Sequence, residues 1–203
     1  MQTQIKVTKL HVVDSPSRRW GVILAGGDGS RLLALTRRIA GDERPKQFCA
    51  IMDGETLLQQ TRRRVSRILR PRQTLLALTR THERFYGDEV AGMPPSSLLI
   101  QPHNRGTAPA ILYSLMRLRE MDPRAIVAFF PSDHHFADDE AFVAYIDSAF
   151  AAAASRPESV ILLGISPASP EVEYGWIEPG ALLTSQHLST VYQVRRFWER
   201  PSR

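Results

Sequence analysis

The chain has 203 residues, of which 43% are hydrophobic and 23% are charged. Such a composition is typical of a folded protein and argues against wholesale disorder, and the length favours one sizeable domain. Lys and Arg total 26 against 21 Asp and Glu, and the formal net charge of +5 favours anionic partners. Cys49 is the single cysteine, which excludes an internal disulfide, and no apolar run reaches the ~18 residues of a membrane span. We therefore expect a cytoplasmic protein that is neither exported nor inserted in a membrane.

Two kinds of segment alternate along the chain after a loose polar leader, which we place at residues 1–18. Short apolar runs predict buried strands at 20–25, 74–79, 98–100, 125–130 and 160–165. Helical periodicity predicts helices at 56–69, 83–90, 108–121 and 139–154. This alternation predicts an α/β domain over residues 19–203, with a doubly wound, mostly parallel sheet and helices on both faces. Ligands of such folds bind at the carboxyl ends of the strands.

A glycine-rich segment directly follows the first predicted strand and reads Ala25-Gly26-Gly27-Asp28-Gly29-Ser30-Arg31. Because glycine has no Cβ, the backbone amides of such a turn can closely approach a phosphate or the edge of a base. The spacing is neither that of a dinucleotide-binding fingerprint nor that of a Walker loop. A tight turn of purely structural use is the alternative.

A second segment, Arg44-Pro45-Lys46-Gln47-Phe48, places a lysine directly after a proline that restricts the backbone. Lys46 can serve as a point charge for a phosphate, although alone it would be taken for a surface residue. Together the two segments closely resemble the signature of the sugar-1-phosphate nucleotidyltransferases, and Pro-Lys-Gln-Phe looks most like the mannose-1-phosphate guanylyltransferases. Ala34 stands where that pattern has a proline, and Ser30 stands where it often has a threonine.

Two segments in the middle of the chain continue the resemblance, which covers about residues 20–201. The run from Gln101 to Ala110 is similar to the family's segment after the third strand, where a Thr-Ala-Pro-Ala helix start supports the nucleotide. An ordinary helix with Thr107 as its N-cap is the alternative there. Asp133, in Pro-Ser-Asp-His, matches the aspartate that holds magnesium in the family's Pro-x-Asp-His. Magnesium prefers carboxylate oxygens to imidazole, so we expect Asp133 to be the ligand rather than His134.

Two later segments resemble the family's sugar-binding region. Tyr174-Gly175-Trp176-Ile177 is similar to part of Thr-Gly-Tyr-Gly-Tyr-Ile, and Glu173 replaces a usual glycine, a change that would narrow or re-aim the sugar pocket. Phe197-Trp198-Glu199-Arg200-Pro201 is similar to Phe-x-Glu-Lys-Pro, and Arg200 keeps the charge of the lysine with a different reach. The family's catalytic domain normally continues to a second metal-binding aspartate. We therefore expect the domain over 19–203 to be incomplete at its C-terminus.

The resemblance implies transfer of a nucleotidyl group, GMP from GTP in our interpretation, onto a sugar 1-phosphate such as mannose 1-phosphate, with Mg²⁺ as cofactor. It assigns catalytic roles to Arg31, Lys46 and the metal ligand Asp133. Residues expected to bind the nucleotide are Leu24, Ala25, Gly26, Gly27, Gly29, Ser30, Gln101, Arg105 and Thr107. Residues expected to bind the sugar phosphate are Gly175, Glu199 and Arg200.

Two alternatives stay open from the sequence. The first is a nucleotidyltransferase with another base or another sugar 1-phosphate. The second is a non-catalytic nucleotide-binding or regulatory relative. Nucleic acid is not expected as a partner, because no recognised nucleic-acid motif accompanies the basic balance. A membrane is not expected either, because no apolar run is long enough to span one. An exposed sheet edge would favour a homo-oligomer.

Overall fold

The computed structural model describes residues 15–52, 54–186 and 189–201. The chain divides into two compact units, with the division between Val143 and Ala144. Most of the expected leader, residues 1–14, lies outside the described residues, while Pro16–Arg18 forms a 3-10 turn. Among the described residues, no helix has both the length and the apolar character needed to cross a membrane.

The first unit is built on a four-stranded parallel sheet in the order β3-β2-β1-β4. Its strands are β1 (Arg19–Leu24), β2 (Thr74–Thr79), β3 (Leu98–Gln101) and β4 (Ile126–Pro131). These strands confirm four of the five predicted runs and the expected α/β fold with a parallel sheet. The apolar side chains of the strands form a buried core with a leucine from a covering helix. This core contains Val22, Leu75, Ala77, Leu99 and Leu118.

Among the described residues, five α-helices accompany the strands, namely α1 (Leu33–Ala40), α2 (Leu57–Ser66), α3 (Glu83–Tyr86), α4 (Thr107–Met121) and α5 (Asp139–Ser155). Helix α2 begins with a capping box, in which the Thr56 and Gln59 side chains each accept a hydrogen bond from the other residue's backbone N–H. The sequence did not predict α1. Thr107 is not the N-cap of α4 but its first residue, because Gly106 precedes it with a φ of 90°, which a side chain rarely adopts.

The strand order places a topological switch beside β1. The chain moves outward from β1 to β2 and β3, and then returns to the other side of β1 to form β4. Right-handed crossovers in opposite directions place the connecting helices on opposite faces of the sheet. The carboxyl ends of β1 and β4 therefore flank the crevice where folds of this kind bind their ligands.

The second unit contains an antiparallel pair, β5 (Gly175–Gln186) and β6 (Ser189–Glu199). The fifth predicted strand, at residues 160–165, is wrong, because this segment forms no strand and exposes 85% of Val160 and 88% of Ile165. An apolar run becomes a strand only where a neighbouring strand accepts its hydrogen bonds. Within this unit β5 and β6 pair with each other and not with that run.

Candidate active site

The glycine-rich loop begins where β1 ends, at the switch between β1 and β4. The backbone N–H of Ala25 donates to Ala77 O at 2.8 Å, which extends the pairing of β1 with β2 by one residue. On the other side, the N–H of Ser132 donates to Leu24 O at 3.2 Å. The loop therefore leaves the sheet from a position that is fixed by hydrogen bonds on both sides.

Two buried side chains hold three successive carbonyl groups of the loop. Gln47 Nε2 donates to Ala25 O at 3.1 Å and to Gly27 O at 2.7 Å. Thr79 Oγ1, from the end of β2, donates to Gly26 O at 2.9 Å. In a trans peptide the N–H points opposite to the C=O. The amides that follow these carbonyls therefore face away from Gln47 and Thr79, as recognition of an anion or a base edge requires.

The loop glycines differ in the space around them. A Cβ at Gly26 would lie 2.7 Å from Thr79 Oγ1, so this position has no room for a side chain. Gly29 has a φ of 61°, and a Cβ there would lie 3.0 Å from the backbone nitrogen of Lys46. Nothing lies within 4 Å of a Cβ built at Gly27. Gly26 and Gly29 are thus required by packing and backbone conformation, whereas the space above Gly27 is open to a ligand.

Lys46 and Asp133 meet in this crevice. The distance between Lys46 Nζ and Asp133 Oδ2 is 2.8 Å, and the two side chains are 30% and 25% exposed. Asp133 follows the end of β4, and Lys46 begins a 3-10 turn that contacts the glycine-rich loop. A cation and a carboxylate therefore lie together beside a loop with outward-facing amides. Such a set can neutralise phosphate oxygens and bind a hard cation.

The segment before Lys46 is anchored by Arg44. Its guanidinium donates from Nε to Asp42 Oδ1 at 2.7 Å and from Nη2 to Asp42 Oδ2 at 2.8 Å. This pairing lowers the pKa of Asp42, chiefly through the side-chain hydrogen bond from Arg44. A bidentate pair of this kind restricts the chain more than a single contact does. The pair therefore restricts the conformation of the backbone directly before Lys46.

The other nucleotide-binding residues predicted from the sequence lie on the same edge of the sheet. Gln101 ends β3, and its Nε2 would lie 3.7 Å from a Cβ at Gly26. Ser30 and Arg31 belong to the 3-10 turn after the loop, and both are exposed. Arg105 lies just before α4 and Thr107 is the first residue of that helix, and both are exposed. Gln101 thus lies beside the loop, and the other four residues follow β1 or β3 along the chain. Sequence patterns assigned no role to Thr79 or Gln47.

The expected sugar-phosphate residues lie in the second unit, where they gather at one end of the hairpin. Gly175 and Glu199 are directly paired between β5 and β6. The backbone N–H of Arg200 donates to Tyr174 O at 3.3 Å, and Arg200 has a φ of 44°. A Cβ at Gly175 would lie 2.5 Å from the Phe197 ring and 3.3 Å from Glu199 Oε2. A larger residue at Gly175 would displace both side chains.

Magnesium fits this donor set only in part. Among the described residues, no group of three or more His, Cys, Asp or Glu side chains is arranged to hold a metal. Mg²⁺ is commonly held by one or two carboxylates together with phosphate oxygens of a substrate. Asp133 supplies one such carboxylate, and His134 Nε2 lies 3.8 Å from its Oδ1. The site therefore fits a magnesium ion that arrives with a nucleotide rather than one held by the protein alone.

Comparison with known proteins gives the chain its family. A family model described as nucleotidyl transferase matches residues 20–203. The chain belongs to the nucleotidyl transferase family. The match confirms the resemblance seen in the glycine-rich loop and in the segment of Lys46.

Several named proteins are similar to the chain in sequence. It is 33% identical to the alginate biosynthesis protein AlgA of Pseudomonas aeruginosa, over 89% of this chain and 36% of that protein. It is 29% identical to a mannose-1-phosphate guanylyltransferase of Escherichia coli, over 89% of this chain and 38% of that protein. The chain thus spans little more than a third of the length of these relatives.

A solved structure from Thermus thermophilus, described as a mannose-1-phosphate geranyltransferase, shares the fold. Its TM-score is 0.76 at 32% identity, over 91% of this chain and 51% of that one. A Helicobacter pylori structure described as a mannose-6-phosphate isomerase matches with a TM-score of 0.63 at 24% identity, over 91% of this chain and 61% of that one. The second likeness concerns the fold alone.

Proposed function

We propose that the chain transfers GMP from GTP to mannose 1-phosphate and releases pyrophosphate. The observation that carries this proposal is the meeting of the Lys46–Asp133 pair with the glycine-rich loop at the switch between β1 and β4. A triphosphate needs cationic neutralisation, amide donors and a carboxylate for its magnesium ion, and this crevice offers all three.

The reaction needs no nucleophile from the protein. An oxygen of the sugar phosphate attacks the α-phosphorus of the triphosphate, a new P–O bond forms, and the bond between the α-phosphorus and the bridging oxygen breaks. Pyrophosphate carries away the released electron pair. Lys46 and Arg31 would neutralise the growing charge, while the loop amides hold the nucleotide in line. Magnesium bound by Asp133 and the phosphates would supply further charge neutralisation.

The hairpin end in the second unit is our candidate for the sugar phosphate. Glu199 would accept hydrogen bonds from sugar hydroxyls, and Arg200 would pair with the phosphate. Their side chains are exposed and only loosely paired, with Arg200 Nε 3.7 Å from Glu199 Oε1. Both groups can therefore exchange this contact for a ligand at little cost.

The choice of guanine and mannose rests on the relatives. The Escherichia coli relative is named a mannose-1-phosphate guanylyltransferase, and the Thermus thermophilus structure is also described with mannose 1-phosphate. The segment Pro45-Lys46-Gln47-Phe48 points the same way. The following experiment distinguishes GTP and mannose 1-phosphate from substrates with another base or another sugar.

Pyrophosphate release by the purified chain tests the proposal. Each common nucleoside triphosphate is combined with mannose 1-phosphate or glucose 1-phosphate in the presence of magnesium. We expect release that requires both GTP and mannose 1-phosphate, that is lost in Asp133→Asn, and that persists in Glu120→Gln, which breaks an exposed ion pair with Arg117. If pyrophosphate is released with another pair of substrates, that pair takes the place of GTP and mannose 1-phosphate in the proposal. GTP binding without release from any pair would instead identify a non-catalytic relative.

A further inference from the structure

Asp28 is the one acidic residue of the glycine-rich loop, and its carboxylate is bonded on both sides. Its Oδ1 lies 3.1 Å from His82 Nε2, and its Oδ2 accepts a hydrogen bond from Asn104 Nδ2 at 2.9 Å. His82 follows β2, whereas Asn104 follows β3. One carboxylate therefore ties the loop after β1 to the segments that follow the two neighbouring strands.

The surroundings of His82 determine which of its ring nitrogens carries a proton. Its Nδ1 is buried and has no hydrogen-bond partner among the described residues. Burial lowers the pKa of His82, against the opposing pull of Asp28. An imidazolium would leave a buried N–H at Nδ1 without an acceptor, which is costly. We therefore assign the neutral tautomer, in which Nε2–H donates to Asp28 Oδ1.

Asn104 links Asp28 to the start of α4 through hydrogen bonds at both ends of its side-chain amide. Its Oδ1 accepts a hydrogen bond from the backbone N–H of Gly106 at 2.9 Å, and Gly106 directly precedes the helix. If the Asn104 amide were rotated by half a turn, its oxygen would face the Asp28 carboxylate and its NH₂ group would face the Gly106 N–H. Both contacts would then be repulsive. The Asp28 carboxylate thus fixes the orientation in which Asn104 holds Gly106.

A carboxylate in a loop that binds a triphosphate is unfavourable in itself, because like charges repel. A role in holding the loop accounts for Asp28 where a role in touching phosphate does not. We propose that Asp28 is a positioning residue, which joins the glycine-rich loop to His82 and Asn104 so that the loop and the start of α4 form one preorganised nucleotide subsite. This inference rests on the proposed function for the identity of the ligand.

Exchanging the two side chains gives a direct test. In Asp28→Asn an NH₂ group of residue 28 faces the NH₂ group of Asn104, and in Asn104→Asp two carboxylates face each other. The double variant Asp28→Asn/Asn104→Asp restores every hydrogen bond and leaves the net charge unchanged. We expect each single variant to weaken GTP binding about tenfold, the effect of one charged hydrogen bond, and the double variant to return within about threefold of the unchanged chain. Asp88→Asn, which removes an exposed carboxylate elsewhere, should bind GTP normally.

Two results would overturn the inference, namely single variants that bind GTP like the unchanged chain, and a double variant no better than the weaker single one. A second readout needs no nucleotide. Hydrogen exchange at the Gly106 amide should accelerate in Asp28→Asn and return to its original rate in the double variant, while the urea midpoints show that each variant is folded. Unchanged exchange in Asp28→Asn would also refute the inference. If the unchanged chain binds no GTP, the proposed function fails, and the exchange measurement still decides the role of Asp28.

Discussion

Lys46 and Asp133 form an ion pair across the ligand crevice, with 2.8 Å between Lys46 Nζ and Asp133 Oδ2. Lys46 belongs to the segment packed on the glycine-rich loop, and Asp133 follows β4. The pair therefore joins the two sides of the topological switch. We expect an incoming triphosphate to compete with Asp133 for Lys46, which would free the carboxylate for a magnesium ion.

Replacing Asp133 by alanine should separate binding from folding. Partly exposed ion pairs contribute little to stability, so we expect Asp133→Ala to change the free energy of unfolding by less than about 1 kcal/mol. Magnesium-dependent binding of GTP should nevertheless be abolished. Calorimetric titrations with and without magnesium, together with urea unfolding, measure both quantities. If GTP binding in the variant depends on magnesium as before, Asp133 does not hold the metal.

Gln47 and Gln73 provide a matched pair of buried glutamines at opposite ends of β1. Gln47 Nε2 donates to two loop carbonyls, whereas Gln73 Nε2 donates at 2.8 Å both to Pro16 O and to Arg19 O. Each change to leucine leaves two acceptors without their donor and should cost about 1–3 kcal/mol in unfolding free energy. Only Gln47→Leu should also weaken GTP binding. Equal GTP affinities for the two variants would argue against any role of the loop in binding.

The loop glycines should respond differently to alanine. Gly27→Ala places a methyl group in open space, so its unfolding free energy should change by no more than about 0.5 kcal/mol. Gly29→Ala forces a side chain into the left-handed region and should cost about 1–2 kcal/mol. Despite its small effect on stability, Gly27→Ala should weaken GTP binding, because the added methyl group occupies the proposed subsite. A Gly27→Ala variant with normal stability and normal GTP affinity would place the nucleotide elsewhere.

The buried position of His82 predicts a pH dependence of stability. Burial lowers the pKa of His82 from its ordinary value of 6.5, so the folded chain resists a proton that the unfolded chain accepts. The stabilising effect of a neutral His82 is present above 6.5 and is lost as the pH falls below that value.

His82→Gln serves as the reference for this effect, because glutamine also offers an N–H donor to Asp28 but does not titrate. The free energy of unfolding of the unchanged chain should decrease relative to this variant as the pH falls through the histidine range. Urea unfolding of both proteins at several pH values measures the difference. If the unchanged chain instead gains free energy of unfolding relative to His82→Gln as the pH falls, His82 is charged in the folded state.

Much of the first unit follows from its sequence pattern. Buried parallel strands such as β2 are continuous apolar runs, and helix starts such as Thr56 carry capping residues. The predicted strand at 160–165 is wrong because apolar character predicts burial but does not supply a partner strand. Helix α1 is hard to predict because it is short and mostly exposed, and even its apolar side chains Leu35 and Ile39 remain accessible.

The placement of the candidate residues was predictable where it depends on backbone conformation and charge, as for Gly29, Lys46 and Asp133, which lie together in the structure. The placement was less predictable for side chains that hold other parts of the protein in position. Gln47 and Thr79 hold loop carbonyls, and a sequence does not show which carbonyls a buried polar side chain will reach. The bonds of Asp28 likewise depend on the ends of β2 and β3 meeting at one edge of the sheet.

The central claim is that a triphosphate binds between the carboxyl ends of β1 and β4. A titration of the ¹⁵N-labelled chain with GTP and magnesium, followed through its backbone amide resonances, tests this claim most directly. We predict that the largest and saturable shifts occur at Gly26, Gly27, Gly29 and Lys46, with smaller shifts near Asp133. Saturable shifts confined to other parts of the first unit, such as α2 or the amino end of β1, would contradict the account.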